Sequence, residues 1–142
     1  MKRIAFVLSI IMVMAFSSVC LASDSSDLNK QQSTAQMVID SFGKKAPAYN
    51  KLTADFDASL KNTMDEKTYA SLQKQVKDKF GDLQEVKFYS FERFDAQDRV
   101  TYLASFSSQK VASIVFAFNK DNKLTEFGIF PQQVNEAQNA KQ

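Results

Sequence analysis

Apolar residues recur at steps of three and four from Ser33 to Phe80, and the period drops to two beyond Gly81. The first stretch predicts three amphipathic helices. Ser33 and Gln36 form an S-x-x-Q capping box ahead of a stripe of Ala35, Val38, Ile39 and Phe42, which Gly43 ends. Pro47 suits the first turn of a second helix, with Tyr49, Leu52, Phe56, Leu60 and Met64 along one side. Thr63 and Glu66 read as a capping box for the third, striped by Tyr69, Leu72, Val76 and Phe80 and stopped at Gly81. Four strand-like runs follow, Glu85–Phe94, Arg99–Phe106, Lys110–Phe118 and Leu124–Phe130. The turns between them, Asp95–Asp98, Ser107–Gln109 and Asn119–Asn122, are short enough to predict an antiparallel meander. Ala112, Ile114, Phe116 and Phe118 share one face. In the first run Phe91 and Phe94 fall out of step with Val86 and Phe88, which predicts a bulge or bend near Ser90.

Ahead of this domain the pattern is of another kind. Lys2 and Arg3 precede thirteen residues, Ile4 to Phe16, that are apolar apart from Ser9, and the small residues Cys20 and Ala22 sit where a signal peptidase reads. The expectation is a cleaved leader over 1–22 and export to the periplasm or medium. An uncleaved anchor would need about twenty apolar residues. Lipidation at Cys20 would favour a small residue before the cysteine, where Val19 stands. Residues 23–33 read as a flexible polar linker, 34–131 as the folded domain and 132–142 as a polar tail.

Cleavage changes the charge picture. Taking Lys2 and Arg3 from 18 basic residues leaves 16, against 16 acidic, so the mature chain is neutral and offers no electrostatic footprint for nucleic acid or, after leader cleavage, for an anionic membrane. It also carries no cysteine, and packing alone must hold it. Three amphipathic helices ahead of a four-stranded antiparallel meander predict an α+β domain, helices on one face of a curved sheet.

This order of elements resembles the nuclear-transport-factor-2-like (cystatin-like) superfamily, and within it the small secreted bacterial domains of unknown function, sometimes found beside α/β-hydrolase domains. The resemblance runs over residues 34 to 131. It is carried by Leu52-x-x-Asp55-Phe56-Asp57-x-x-Leu60, by Phe80-Gly81-x-Leu83, and by the segment Val115-x-Ala117-Phe118-Asn119-Lys120-Asp121-Asn122-Lys123-Leu124. It implies a cone-shaped domain. These residues are mostly folding signals, so no catalytic residue is carried over.

Inventory narrows the chemistry. Without histidine there is no Ser-His-Asp or Cys-His arrangement and none of the commonest zinc ligand. Gly43, Gly81 and Gly128 stand too far apart for a phosphate loop. The Asn119–Asn122 turn lacks the glycine and terminal glutamate of a calcium loop, so no metal and no cofactor is expected. Carboxylate and tyrosine chemistry remains. Some superfamily enzymes use a buried aspartate base with tyrosine donors, which makes Asp55, Tyr49, Tyr69 and Tyr102 the catalytic candidates by resemblance, with Asp57 and Tyr89 as further parts. Asp55 lies about 100° from the Phe56 stripe, and a solvated helix flank is its plainer reading.

Thirteen phenylalanines are the most unusual feature. A filled core explains many of them. A surplus on the sheet would line an apolar cavity or cover a face that pairs with another copy, and Phe88, Phe91, Phe106, Phe116, Phe118 and Phe127 are the candidates for that ligand or partner surface. The favoured reading is a non-enzymatic exported domain that binds an apolar small molecule or forms a homodimer through its sheet. The alternative is an Asp/Tyr-based isomerase, dehydratase or hydrolase-accessory domain.

Overall fold

The structure, a computed structural model, describes residues 25–133. The expected leader with Cys20, and the tail from 134 onward, lie outside the described residues. The chain divides into two compact units, Met1–Lys30 and Gln31–Gln142, and the second contains the sheet. Among the described residues, four helices precede a four-stranded antiparallel sheet of order β1-β2-β3-β4. Residues 25–41 form α1, and α2 (Tyr49–Leu52), α3 (Ala58–Thr63) and α4 (Glu66–Phe80) follow. The strands are β1 (Leu83–Arg93), β2 (Asp98–Phe106), β3 (Ala112–Phe118) and β4 (Leu124–Pro131). The α+β class and the meander hold. The sheet is not strongly curled.

The helical half departs from the sequence reading in three places. Helix α1 starts by Ser25, so residues 25–33 are helical and not a loose linker. Polar Gln31 and Thr34 are as buried as Val38 in that helix, which hid its start from a count of apolar positions. The expected second helix is broken at Thr53–Asp57. There Phe56 forms a parallel bridge to Leu124, with the Asp57 amide donating to Leu124 O and the Leu124 amide to Asp55 O. Asp57 then caps α3 by accepting from the Leu60 amide. Helix α4 is capped not by Thr63 but by Asp65, whose carboxylate accepts from the Thr68 amide; Thr63 closes α3. Both aspartates caps use the same physics, an acceptor for an amide that has no partner within the helix.

One face of the sheet is the core. Val100, Tyr102, Ala104 and Phe106 of β2 alternate inward with Ala112, Ile114, Phe116 and Phe118 of β3, all buried. The helices close over them: Phe56 and Tyr69 meet Phe127, and Phe80 meets Phe106. Each edge strand keeps its apolar side chains inward by a register shift. In β1, Tyr89 is the extra residue between Phe88, opposite Tyr102, and Ser90, opposite Thr101. That is the bulge expected near Ser90. In β4, Thr125 is the extra residue, which lets Leu124 and Phe127 both face Phe118 and Phe116.

Asp98, read from the sequence as a turn residue, is the first residue of β2 and is 1% exposed. Its carboxylate accepts from Arg93 Nε and Nη2 at 3.1 and 2.9 Å, from Gln31 Nε2 at 2.8 Å and from Lys120 Nζ at 3.2 Å. Lys120 also donates to Phe94 O, so one carboxylate ties α1 to both hairpin turns at this end of the sheet. Burial pushes its pKa up, but the hydrogen bonds from Arg93, Gln31 and Lys120 outweigh that and hold it below the usual carboxylate range.

Two stability predictions follow from these positions. Gly81 has φ 85° and ψ −155°, a region that only glycine occupies without strain, and a Cβ there would collide with Ser107 Oγ. Gly81→Ala is expected to lower stability by roughly 1–3 kcal/mol, read as a reduced urea midpoint; an unchanged midpoint would show that the helix exit tolerates another conformation. For Asp98, the unfolded chain takes up a proton before the folded one does. Its contribution is therefore intact above about pH 4 and is lost as pH falls through the lower folded value. Urea midpoints measured from pH 6 to 2 should fall more steeply for wild type than for Asp98→Asn. Parallel curves would remove Asp98 from that role.

Candidate functional site

The four catalytic candidates are held apart. Asp55 is paired with Lys123 at 2.8 Å on the flank of the Phe56 bridge. Tyr49 donates to Met64 O at 2.6 Å. The Tyr69 hydroxyl is hydrogen-bonded to Ser41, and burial, only partly offset by that bond, pushes it up to about 12. Tyr102 is buried on the inner face with its ring edge-on to Phe88 and Phe116, and burial raises its pKa too. Tyr49 and Tyr69 do line one cleft of about 290 Å³ with Glu66, but their hydroxyls are engaged elsewhere. No pair of a carboxylate and a tyrosine hydroxyl is assembled here.

The aromatic candidates divide as well. Phe106, Phe116 and Phe118 are core residues, none more than 2% exposed, so they cannot present a surface. Phe127 is half-buried against Phe56, Tyr69 and Phe116. Phe88 is exposed and Phe91 half-buried, both on the helix side of edge strand β1. A single helix layer covers the inner face over β2 and β3 but leaves Phe88 at the β1 edge 46% exposed, and the opposite face has no cover from the helices.

That outer face carries a groove of about 610 Å³. Its depth comes from side chains at the edges, because the sheet itself is nearly open. The cross-strand row Ser90, Thr101, Val115 and Gly128 makes a floor of small residues, and Ala117 extends it. Tyr89, 65% exposed, stands at the β1 edge, and Phe130, 53% exposed, stands at the β4 edge. A Cβ on Gly128 would lie 2.8 Å from Phe130 Cζ, so the ring folds across the glycine and borders the floor. Glu92, Arg99 and Glu126 line one end; Arg99 lies 3.6 Å from Glu92, while Glu126 forms no ion pair among the described residues.

Sequence reasoning offered Tyr89 only as a further part of an Asp/Tyr site, and passed over Gly128 and Phe130 as site residues. The signal for Tyr89 was the break in alternation at Ser90, since a bulge gives its extra residue an orientation the pleat does not dictate. A glycine two residues before an aromatic in a strand was the signal for the other pair. At the Asn119–Asn122 turn, Asn119 Oδ1 accepts the Asp121 and Lys123 amides, each at 3.0 Å, so that oxygen serves the turn. No group of three or more His, Cys, Asp or Glu placed to hold a metal occurs among the described residues, and no helix among them is long and apolar enough to cross a membrane.

No curated protein and no solved structure matches the chain. A family match does exist, and it covers the core just described from the first turns of α1 to Phe127. Through residues 30–127 the chain belongs to the family described as protein of unknown function (DUF3887).

Proposed function

We propose that this is an exported, non-enzymatic binding module that holds a flat amphipathic small molecule against the outer face of its sheet. The observation that carries the reading is the pair of exposed aromatics, Tyr89 and Phe130, bordering a floor of Ser90, Thr101, Val115, Ala117 and Gly128 on the face that the helices do not cover. Rings at the two rims offer stacking surfaces, the Ser90 and Thr101 hydroxyls offer hydrogen bonds, and the Glu126 carboxylate accepts from a donor or balances a cation. Export is supported by the basic, then apolar, then small-residue order of residues 1–22. The order of helices and meander is read as that of the nuclear-transport-factor-2-like superfamily, with the ligand on the outer face and not in a cone.

A second copy is the less suitable occupant. Stacking two copies about a twofold axis centred on the groove sets aromatic rim against aromatic rim and leaves the floor unfilled, and unfilled contact area contributes little. The Asp/Tyr enzyme reading lacks a supporting geometry, because Asp55 is paired with Lys123 and the Tyr49 and Tyr69 hydroxyls are committed within the fold.

Native mass spectrometry of the protein recovered from its producing cell tests the reading. A monomer carrying a small molecule is expected, and Tyr89→Ala or Phe130→Ala should weaken retention by about 2- to 10-fold, the loss of one stacking contact. An empty monomer, or retention indifferent to both substitutions, would overturn it. A dimer broken by either substitution would replace the ligand with a second copy.

A further inference from the structure

We infer that the seam between α4 and β4 is a second binding site, for a single-chain amphiphile with a carboxylate head. Helix α4 presents Leu72, Gln75, Val76, Lys79 and Phe80, positions i, i+3, i+4, i+7 and i+8, to an apolar cleft of about 240 Å³. The opposite wall is Phe127, Gly128 and Ile129 of β4, and Phe42 and Met64 complete the lining. Packing here is unfinished. Val76 and Phe80 are buried, but Leu72, Phe127 and Ile129 remain half-exposed, although Leu72 belongs to the apolar stripe that docks the helix. The gap has the volume of about eight liquid waters at about 30 Å³ each, close to eight methylene groups.

Charge selects the head group. No carboxylate lines the cleft, and its one charged residue is Lys79. The neighbouring lysines of α4 are neutralised, Lys74 by Asp78 at 2.9 Å and Lys77 by Asp82 at 3.3 Å. Lys79 has no ion pair among the described residues; its ammonium lies 5.3 Å from the centre of the Phe80 ring, at the apolar wall itself. An alkyl chain laid along Leu72, Val76 and Ile129 with a carboxylate at Lys79 satisfies both features at once. The site shares Phe127 and Gly128 with the outer groove but neither rim aromatic, Tyr89 or Phe130, so substitutions at the rims and at Lys79 tell the two sites apart.

The test is a titration of the purified protein with hexanoate, octanoate and decanoate below their micelle concentrations, followed by methyl NMR at Leu72, Val76 and Ile129. Saturable shifts at these methyls are expected, tightening about fourfold per methylene until the cleft is full near eight carbons and levelling off beyond. Lys79→Glu, an exposed change that should not alter the melting temperature, should weaken octanoate at least tenfold and let octyltrimethylammonium bind in its place. Leu72→Trp should abolish both by filling the cleft, and Tyr89→Ala should leave both unchanged. Octanol binding as tightly as octanoate, indifference to Lys79→Glu, or shifts centred on the outer face would each overturn the assignment. The Lys79 arm carries the test if the Leu72 variant does not fold.

Discussion

The centre of the inner face, over β2 and β3, is closed, and much of the rest of the molecule follows from that. Val100, Ile114, Phe116, Phe118 and Leu124 show no exposed surface, and Phe56, Tyr69 and Phe80 come down on them from the helical side. Large rings packed to this extent exclude water and give the small domain its stability without a disulfide in the described residues. They also occupy the space in which a hollow cone would have held a substrate.

Keeping that face filled requires adjustment at the edges. A four-stranded sheet has two edge strands, and here both carry extra residues, Gln84 and Tyr89 in β1 and Thr125 in β4. The shifts at Tyr89 and Thr125 return Phe91 and Phe127 to the core side, and the first also releases a tyrosine from the pleat to stand at the rim of the outer groove. The same edges are tied down by polar contacts of long sequence separation. Asp98 gathers Arg93, Gln31 and Lys120, while the Phe56–Leu124 bridge and the Asp55–Lys123 pair hold the loop between α2 and α3 against the start of β4. Asp55 thus acts in the fold where the resemblance had suggested a base.

The two surfaces proposed for binding arise from the same shortage of cover. A single helix layer leaves the outer face bare, where small residues in β2, β3 and β4 give a floor and the edge aromatics give walls. It also leaves an unclosed seam where α4 meets the free edge of β4, where Leu72, Phe127 and Ile129 stay only half-buried. The first surface is mixed in polarity and broad; the second is narrow, apolar and basic at its mouth. Neither uses the tyrosine hydroxyls or carboxylates that an Asp/Tyr enzyme would need.

Much of the fold was legible from periodicity alone. The switch from steps of three and four to steps of two at Gly81, the three polar turns and the Ala112–Phe118 alternation determined an α+β domain with a meander, because hydrophobic spacing reports which face of an element must leave water. Local pattern could not see contacts made at long range. Gln31 and Thr34 look like solvent-facing residues until β2 and the 119–123 turn are brought against α1, and Tyr49 through Met64 look like one helix until Leu124 takes the backbone hydrogen bonds at Asp55 and Asp57. Phe116 and Phe130 carry the same side chain on neighbouring strands, yet one is core and the other a groove wall. The sequence by itself determined how many apolar rings must be accommodated and on which elements. Only the tertiary structure decided which of them stay at the surface, since that depends on how far one layer of helices reaches across four strands.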